Sequence, residues 1–222
     1  MAKEDCEGGV WRWIHGHPVF IKSKTPTLKE ALQEKLEKKA KYINGVYSLD
    51  VRNQYEEKAH PGFGSVKCQS GVKFKSDDYS RDEVKEAHWL VDTFGGNVLI
   101  LRENKDSKYY KYPTGSTMPD LMWGFDGKKY WDVKYPKSYP GTGNLYRHGL
   151  KQISVDYGPA KNSPGGLIVR ITDPAVDIET VHQKLADVFR NSRLETVDLI
   201  IKKNDTDYKI FRLWKKNKSN AR

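Results

Sequence analysis

The stretch M-P-D-L-M-W-G-F-D-G-K-K-Y-W-D-V-K, Met118 to Lys134, holds a Pro-Asp pair, a turn and an Asp-x-Lys triplet. Asp126-Gly127 flanked by apolar and aromatic residues is a strong hairpin signal. A three-residue loop of Phe125, Asp126 and Gly127 puts glycine at the left-handed position it tolerates best. That register pairs Gly124 with Lys128 and sets Asp120 directly opposite Asp132. Carboxylates facing each other across a ladder repel. A positive group should therefore sit between them. Lys134, two residues beyond Asp132, projects from the same face. Two carboxylates and an ammonium on one face can hold a divalent metal and a water beside a phosphate. The plain alternative is an exposed hairpin with a surface Asp and a surface Lys.

The segments on either side weigh on that choice. Upstream, in Ser80 to Leu101, residues Val84, Ala87, Leu90, Val91 and Phe94 recur at helical spacing. Gly95-Gly96 stops the helix, and Asn97 to Leu101 reads as a buried strand. Glu83 sits at the edge of the apolar stripe, where a helix packed on a sheet can deliver a third carboxylate to the hairpin. Ser80-x-x-Glu83 also reads as a capping box, in which Glu83 only caps its own helix. Glu86, one turn on, is the competing ligand or else a solvated surface residue. Downstream, Leu145 to Tyr157 reads as a helix with His148, Lys151, Gln152 and Val155 on one face. Gly166 to Ile171 reads as another buried strand.

Pro119-Asp120 followed by Asp132-x-Lys134 resembles the PD-(D/E)xK nuclease superfamily. The order helix, strand, hairpin, helix, strand is the αβββαβ core of that superfamily. The block from Ser80 to Thr172 more specifically resembles toxin nuclease domains of contact-dependent growth-inhibition systems. It also resembles related domains fused to phage Mu-type head-morphogenesis proteins. D-E-V-K-E-A-H-W-L-V-D-T-F-G-G, M-P-D, Y-W-D-V-K, and R-H-G-L-K-Q-I followed by P-G-G carry that likeness. It implies an α/β (α+β mixed) fold with a restriction-endonuclease-like core and an extended mixed sheet. It implies a Mg²⁺- or Mn²⁺-dependent endonuclease with Glu83, Asp120, Asp132, Lys134 and Gln152 as catalytic residues. Asp120 and Asp132 would bind the metal, with Glu83 completing or orienting the shell. Lys134 would position a water, and Gln152, with Lys151, would orient the water or the phosphate. His148 is a general base in principle, or a partly buried helix residue, and stays outside the set. Asp132 stands where many members carry Glu; the shorter carboxylate leaves the metal count open.

The toxin likeness implies an RNA substrate, most often tRNA, and an acidic immunity protein as partner. A DNA endonuclease of the same core is the alternative, since metal chemistry does not distinguish the sugars. A non-catalytic nucleic-acid or capsid-associated module is a third reading, against which the complete Asp120, Asp132, Lys134 set argues.

Composition agrees with a nucleic-acid partner. The 222 residues carry 39 Lys+Arg against 29 Asp+Glu, a formal charge of +10. That is the footprint of a protein that meets polyanions. Tyr135, Tyr139 and Tyr146 stand near Lys134, Lys137 and Arg147, a mixture that suits stacked bases and tracked phosphates. Tyr135, Lys137, Arg147 and Lys151 are therefore the expected substrate contacts. K-Y-Y-K-Y, Lys108 to Tyr112, is a weaker case of the same mixture, and tyrosines are also ordinary strand residues. No apolar run reaches membrane-spanning length and no signal peptide precedes the start. Cys6 and Cys68 form no metal or redox motif. A cytoplasmic site of action follows, with delivery as part of a larger effector or phage protein.

The expected organisation is an N-terminal hairpin and helix over 1–60, a nuclease-like domain over 61–214 and a basic tail over 215–222. The N-terminal hairpin, V-W-R-W-I-H-G-H-P-V-F-I, resembles a segment preceding toxin domains in phage head proteins. His15 and His17 flank its turn and are not expected to bind metal. Thr27-Leu28-Lys29-Glu30 opens a helix to about Tyr42. A second helix is expected over Asp50 to Lys58, then a loop over His60 to Ser76. At the other end, Asp177 to Asn191 reads as an amphipathic helix. Val197 to Lys202 and Tyr208 to Trp214 read as a hairpin whose Asp205 and Asp207 serve the turn.

Overall fold

The computed structural model describes residues 9–14, 17–22, 28–102, 118–125, 129–136, 142–153 and 164–215. Lys108 to Tyr112, Lys137, Tyr139, the hairpin turn 126–128, residues 154–163 and the basic tail lie outside them. The chain divides into two compact units, Met1–Ala40 and Lys41–Arg222. In the first, β1 (Gly9–Ile14) and β2 (His17–Lys22) form an antiparallel hairpin, followed by α1 (Leu28–Lys39).

The second unit is built on a mixed sheet of nine strands. In chain order they are β3 (Lys41–Ile43), β4 (Val46–Asp50), β5 (Gly64–Cys68), β6 (Gly96–Ile100), β7 (Leu121–Met122), β8 (Tyr130–Lys134), β9 (Pro164–Arg170), β10 (Thr196–Lys202) and β11 (Tyr208–Trp214). Across the sheet they run β3-β4-β11-β10-β9-β8-β7-β6-β5. β5 is parallel to β6, β8 to β9 and β9 to β10, and the remaining pairs are antiparallel.

Helices cover both faces, because the central strands are apolar on both sides. On one face lie α2 (Arg52–Glu56) and α3 (Asp82–Phe94), packed on Val98, Leu121, Trp131, Ile168, Ile200 and Ile210. The other face carries α4 (Thr142–Gln152) and α5 (Ile178–Arg190), packed on Leu167, Val169, Leu199, Ile201 and Leu213. Leu167 and Ile168, or Leu199 and Ile200, thus point to opposite faces, the two-residue period of a strand. Pro164-Gly165-Gly166 has a structural reason. β9 passes β8 at a register shift between Tyr130 and Trp131. A Cβ on Gly165 would lie 2.1 Å from the Tyr130 carbonyl oxygen, and one on Gly166 2.6 Å from the Trp131 ring.

Several expectations hold. Gly95 caps α3 with φ 78°. Asp177 caps α5, its side chain accepting the Thr180 N–H at 2.6 Å. At the β10–β11 turn, however, the side chain that serves is Asn204 rather than Asp205 or Asp207: it accepts from the Thr206 and Asp207 N–H groups at 2.9 and 2.8 Å, while Asp205 pairs with Lys202 Nζ at 3.0 Å. The domain boundary at 60 does not hold. The second unit starts at Lys41, because β4 pairs with the outer edge of β11. The first helix ends at Lys39 rather than Tyr42, and residues 41–43 are strand. The expected loop over 60–76 contains β5, an edge strand too short and polar to announce itself.

Candidate active site

β7 and β8 pair with Leu121 opposite Trp131 and Met122 opposite Tyr130. The Trp123 N–H donates to the Lys129 carbonyl at 2.8 Å. That register, continued by one step, sets Asp120 opposite Asp132, as the turn chemistry requires. The ladder changes character there. Asp120 Oδ2 accepts the Val133 N–H at 2.7 Å, so a side chain takes the place of a strand. The Asp120 carbonyl accepts from the Leu101 N–H at 2.8 Å on β6's side.

Asp132 is 1% exposed. Its Oδ2 forms an ion pair with the Lys134 ammonium, which also donates to the Val133 carbonyl at 3.3 Å. Burial pushes both carboxyls above the usual range. For Asp132 the shift is large, with the Asp120 charge adding to burial and Lys134 opposing. For Asp120, Lys134 and the Val133 N–H oppose, while Glu83 adds to the rise. Two acids thus share one ammonium in a site with little water, and like charges this close do not both ionise freely.

α4 closes on this pair through a glycine. A Cβ on Gly149 would stand 3.0 Å from Asp132 Oδ2 and 3.1 Å from Lys134 Cε. Glycine is a poor helix former, and here it lets the helix backbone lie against β8. One turn on, Gln152 Oε1 accepts the Met118 N–H at 3.1 Å. Gln152 therefore anchors the Met118-Pro119-Asp120 segment. His148 is exposed; the burial of part of its ring and the charges of Lys134 and Lys151 push its pKa down. Lys151 is exposed beside it. Arg147 is directed along its own helix to Asn144 Oδ1 at 2.6 Å.

The start of α3 lies beside Asp120. Arg81, Asp82 and Glu83 line a cleft of about 290 Å³ with Asp120, Val133 and Tyr135. No capping box forms. Arg81, not Ser80, precedes the helix, and the Ser80 hydroxyl donates to Asp78 at 2.6 Å. Glu83 is instead turned toward the cleft, held by Arg81 Nη2 at 3.3 Å. Glu86 is neither a ligand of this cleft nor a solvated surface residue. It is fully buried, pairing with Lys202 Nζ at 2.8 Å and Arg170 Nη1 at 3.6 Å. The Tyr135 hydroxyl also donates to Glu86, so this tyrosine presents its ring, not its oxygen, to the cleft.

Arg81 is the residue that sequence reasoning missed, because the Ser80-x-x-Glu83 pattern drew the helix start one residue early. Its guanidinium lies 4.7 Å from the Phe74 ring centroid, and its Nε is buried with no hydrogen-bond partner. The only sequence signal was a cation immediately before an acidic first turn.

The donors are hard oxygens, which suit Mg²⁺ or Mn²⁺. A buried carboxylate and a half-buried one, with a single ammonium paired to the first, make a place that a divalent cation fits. Among the described residues, no three His, Cys, Asp or Glu side chains are grouped closely enough to hold a metal by themselves. The fit therefore rests on the Asp120–Asp132 pair, with Glu83 across the cleft.

Comparisons of the chain with family models, curated proteins and solved structures return no match.

Proposed function

We propose that this chain is a metal-dependent endonuclease of the PD-(D/E)xK kind, acting on RNA, with tRNA the favoured substrate, as a toxin effector domain. The observation that carries this reading is the juxtaposition of Asp120 and Asp132 across β7 and β8, with Lys134 ion-paired to Asp132 and Asp120 opening onto the cleft that Glu83 lines. The element order α3-β6-β7-β8-α4-β9, with β6 to β9 adjacent in the sheet, supports the restriction-endonuclease-like core. The +10 charge supports a polyanionic substrate.

Asp120 and Asp132 would hold Mg²⁺ or Mn²⁺, with Glu83 orienting its shell. When bound, such an ion polarises a phosphate and acidifies a water. Lys134 offsets charge that builds on the phosphate oxygens and orients the attacking water. Arg81, which lines the cleft with Asp120, would meet the phosphate, where a planar fork suits two oxygens. Gln152 and Gly149 hold the geometry: one fixes the strand that carries Asp120, the other lets α4 close on Asp132. Lys151, and Lys137 outside the described residues, would track the backbone. A toxin of this kind needs an acidic immunity protein in its producer, and charge complementarity would speed that association at low salt.

The test is incubation with total RNA, purified tRNA and plasmid DNA, each with Mg²⁺ or with EDTA. Mg²⁺-dependent cleavage of tRNA, lost in Asp132→Asn, is expected. Cleavage of DNA alone would move the substrate to the deoxy sugar. No cleavage of any of the three would leave the fold as a non-catalytic binding module.

A further inference from the structure

A second cavity opens at the far end of the same hairpin. It measures about 350 Å³ and is lined by Tyr55, Lys58, Trp123, Phe125, Lys129 and Arg212 among others. Lys129 precedes β8 and Lys134 ends it, so this cavity is separated from the carboxylate pair by the length of that strand.

Its floor is rigid. Asp198, 4% exposed, accepts from Arg212 Nε and Nη2 at 2.7 and 2.8 Å and from the Tyr55 hydroxyl at 2.6 Å. Lys129 Nζ stands 3.6 Å from the same carboxylate. Two cations, Lys129 and Arg212, thus pair with a single buried anion while Lys58 lines the same cavity, which is left with net positive charge. Asp198's pKa is held below its usual value: burial alone would raise it, and the Arg212 guanidinium outweighs that. The site therefore remains a fixed array of full charges.

Its rim carries a flat apolar plate. Phe125 is 42% exposed, although its ring lies 5.7 Å from Trp123 and 6.0 Å from Tyr55. Packed on its inner side, it still presents apolar surface to the cavity it lines. Beside surplus cations it provides a stacking face next to an anion site. Cavities of this size hold small organic ligands. A ring that stacks and a charge that pairs, held side by side, describe a nucleotide.

We infer that this cavity binds a nucleoside monophosphate unit, its base stacked on Phe125 and its phosphate held by Lys58 and Lys129 at the Arg212 edge. The same chemistry comes from two sources, a free nucleotide or one residue of a single strand. The inference does not depend on cleavage at the carboxylate pair.

Isothermal titration of the full chain in EDTA tests it, with AMP, CMP, adenosine, inorganic phosphate and a short single-stranded oligonucleotide as probes. Saturable binding of a nucleoside monophosphate is expected, with adenosine and phosphate each weaker by about tenfold or more. Phe125→Ala and Lys129→Ala should each weaken it by on the order of tenfold, since one base stack contributes roughly 1–3 kcal/mol. Circular dichroism checks that both variants stay folded, and both positions are partly solvent-exposed. An oligonucleotide that binds more than about tenfold tighter than AMP assigns the unit to a strand; equal affinity assigns it to a free nucleotide. No saturable binding of either at millimolar concentration, or binding that Phe125→Ala and Lys129→Ala leave unchanged, overturns the inference.

Discussion

Asp132 and Glu86 are both buried carboxylates, and the fold treats them in opposite ways. Glu86 has Lys202, Arg170 and the Tyr135 hydroxyl around it. Lys202 is further held 3.7 Å from the Trp89 ring centroid and 3.0 Å from Asp205. Asp198 is satisfied in the same manner by Arg212 and Tyr55. Asp132 has a single ammonium, and a second carboxylate faces it. A buried charge with all its partners is part of the framework. A buried pair of like charges with half its compensation raises the energy of the fold, and such a defect persists where chemistry needs it. Glu83 and Glu86, three residues apart on α3, fall on the two sides of that divide.

The sharpest way to break the comparison is to remove the cleft charges. Asp132→Asn should lower cleavage by on the order of a thousandfold, the scale of losing a principal stabiliser of the transition state. Its melting temperature should stay equal or rise. The sign follows from the shift: a carboxyl whose folded pKa is raised destabilises the fold at pH above its unfolded value, so neutralising it removes that cost. Lys134→Met should lose activity as well but should melt lower, because two facing carboxylates then lack any counterion. Equal activity in Asp132→Asn and wild type would remove the pair from the chemistry.

The framework charges should answer in the opposite sense. Lys202→Met leaves Glu86 buried with less compensation, and breaking such a pair costs about 3–5 kcal/mol. For a chain of this size that is a fall in melting temperature of roughly 10 °C. The double variant Glu86→Leu/Lys202→Met should recover part of the loss, since apolar replacements of a buried pair are often tolerated. Glu83→Gln, by contrast, should melt like wild type and lose metal-dependent cleavage. A Glu83→Gln variant with full activity would return Glu83 to a purely structural role beside Arg81.

This divide was only half visible in the sequence. Turn chemistry at Asp126-Gly127 and the alternation of the flanking residues were enough to set Asp120 against Asp132, because a strand register has a period of two and one turn pins it. The apolar stripe of α3 likewise placed Glu83 at an edge. Nothing local could show that Glu86 meets Lys202, which lies 116 residues away. Nor could the sequence show that β4 closes on β11, an edge pairing made across most of the second unit. Nor could the sequence show that Gly149 lets α4 lie against Asp132. Arg81 was hidden by a capping pattern that the backbone does not use.

The smallest effect expected lies outside the cleft and tests whether a fully packed titratable group behaves as framework. His182 is buried on α5, its Nε2 2.8 Å from the Ser48 hydroxyl and its ring stacked on Phe211 at 3.8 Å. Glu179 Oε1 stands 3.6 Å from its Nδ1. Burial pushes the imidazole pKa down; Glu179 opposes this, while Lys41 and Lys209 add to it. The folded state thus prefers the neutral ring, and the unfolded chain takes up a proton first as pH falls. The stability that His182 contributes is complete above its unfolded value of about 6.5 and declines as pH drops from there toward the lower folded value. Urea midpoints measured from about pH 7.5 to about pH 5.5 should therefore fall in wild type. In His182→Gln, which keeps a polar partner for Ser48 but cannot titrate, the fall should be shallower. An identical pH slope in the two proteins would place the acid sensitivity elsewhere, with the under-compensated acids of the cleft excluded by sign: their raised values make them less, not more, destabilising as pH drops.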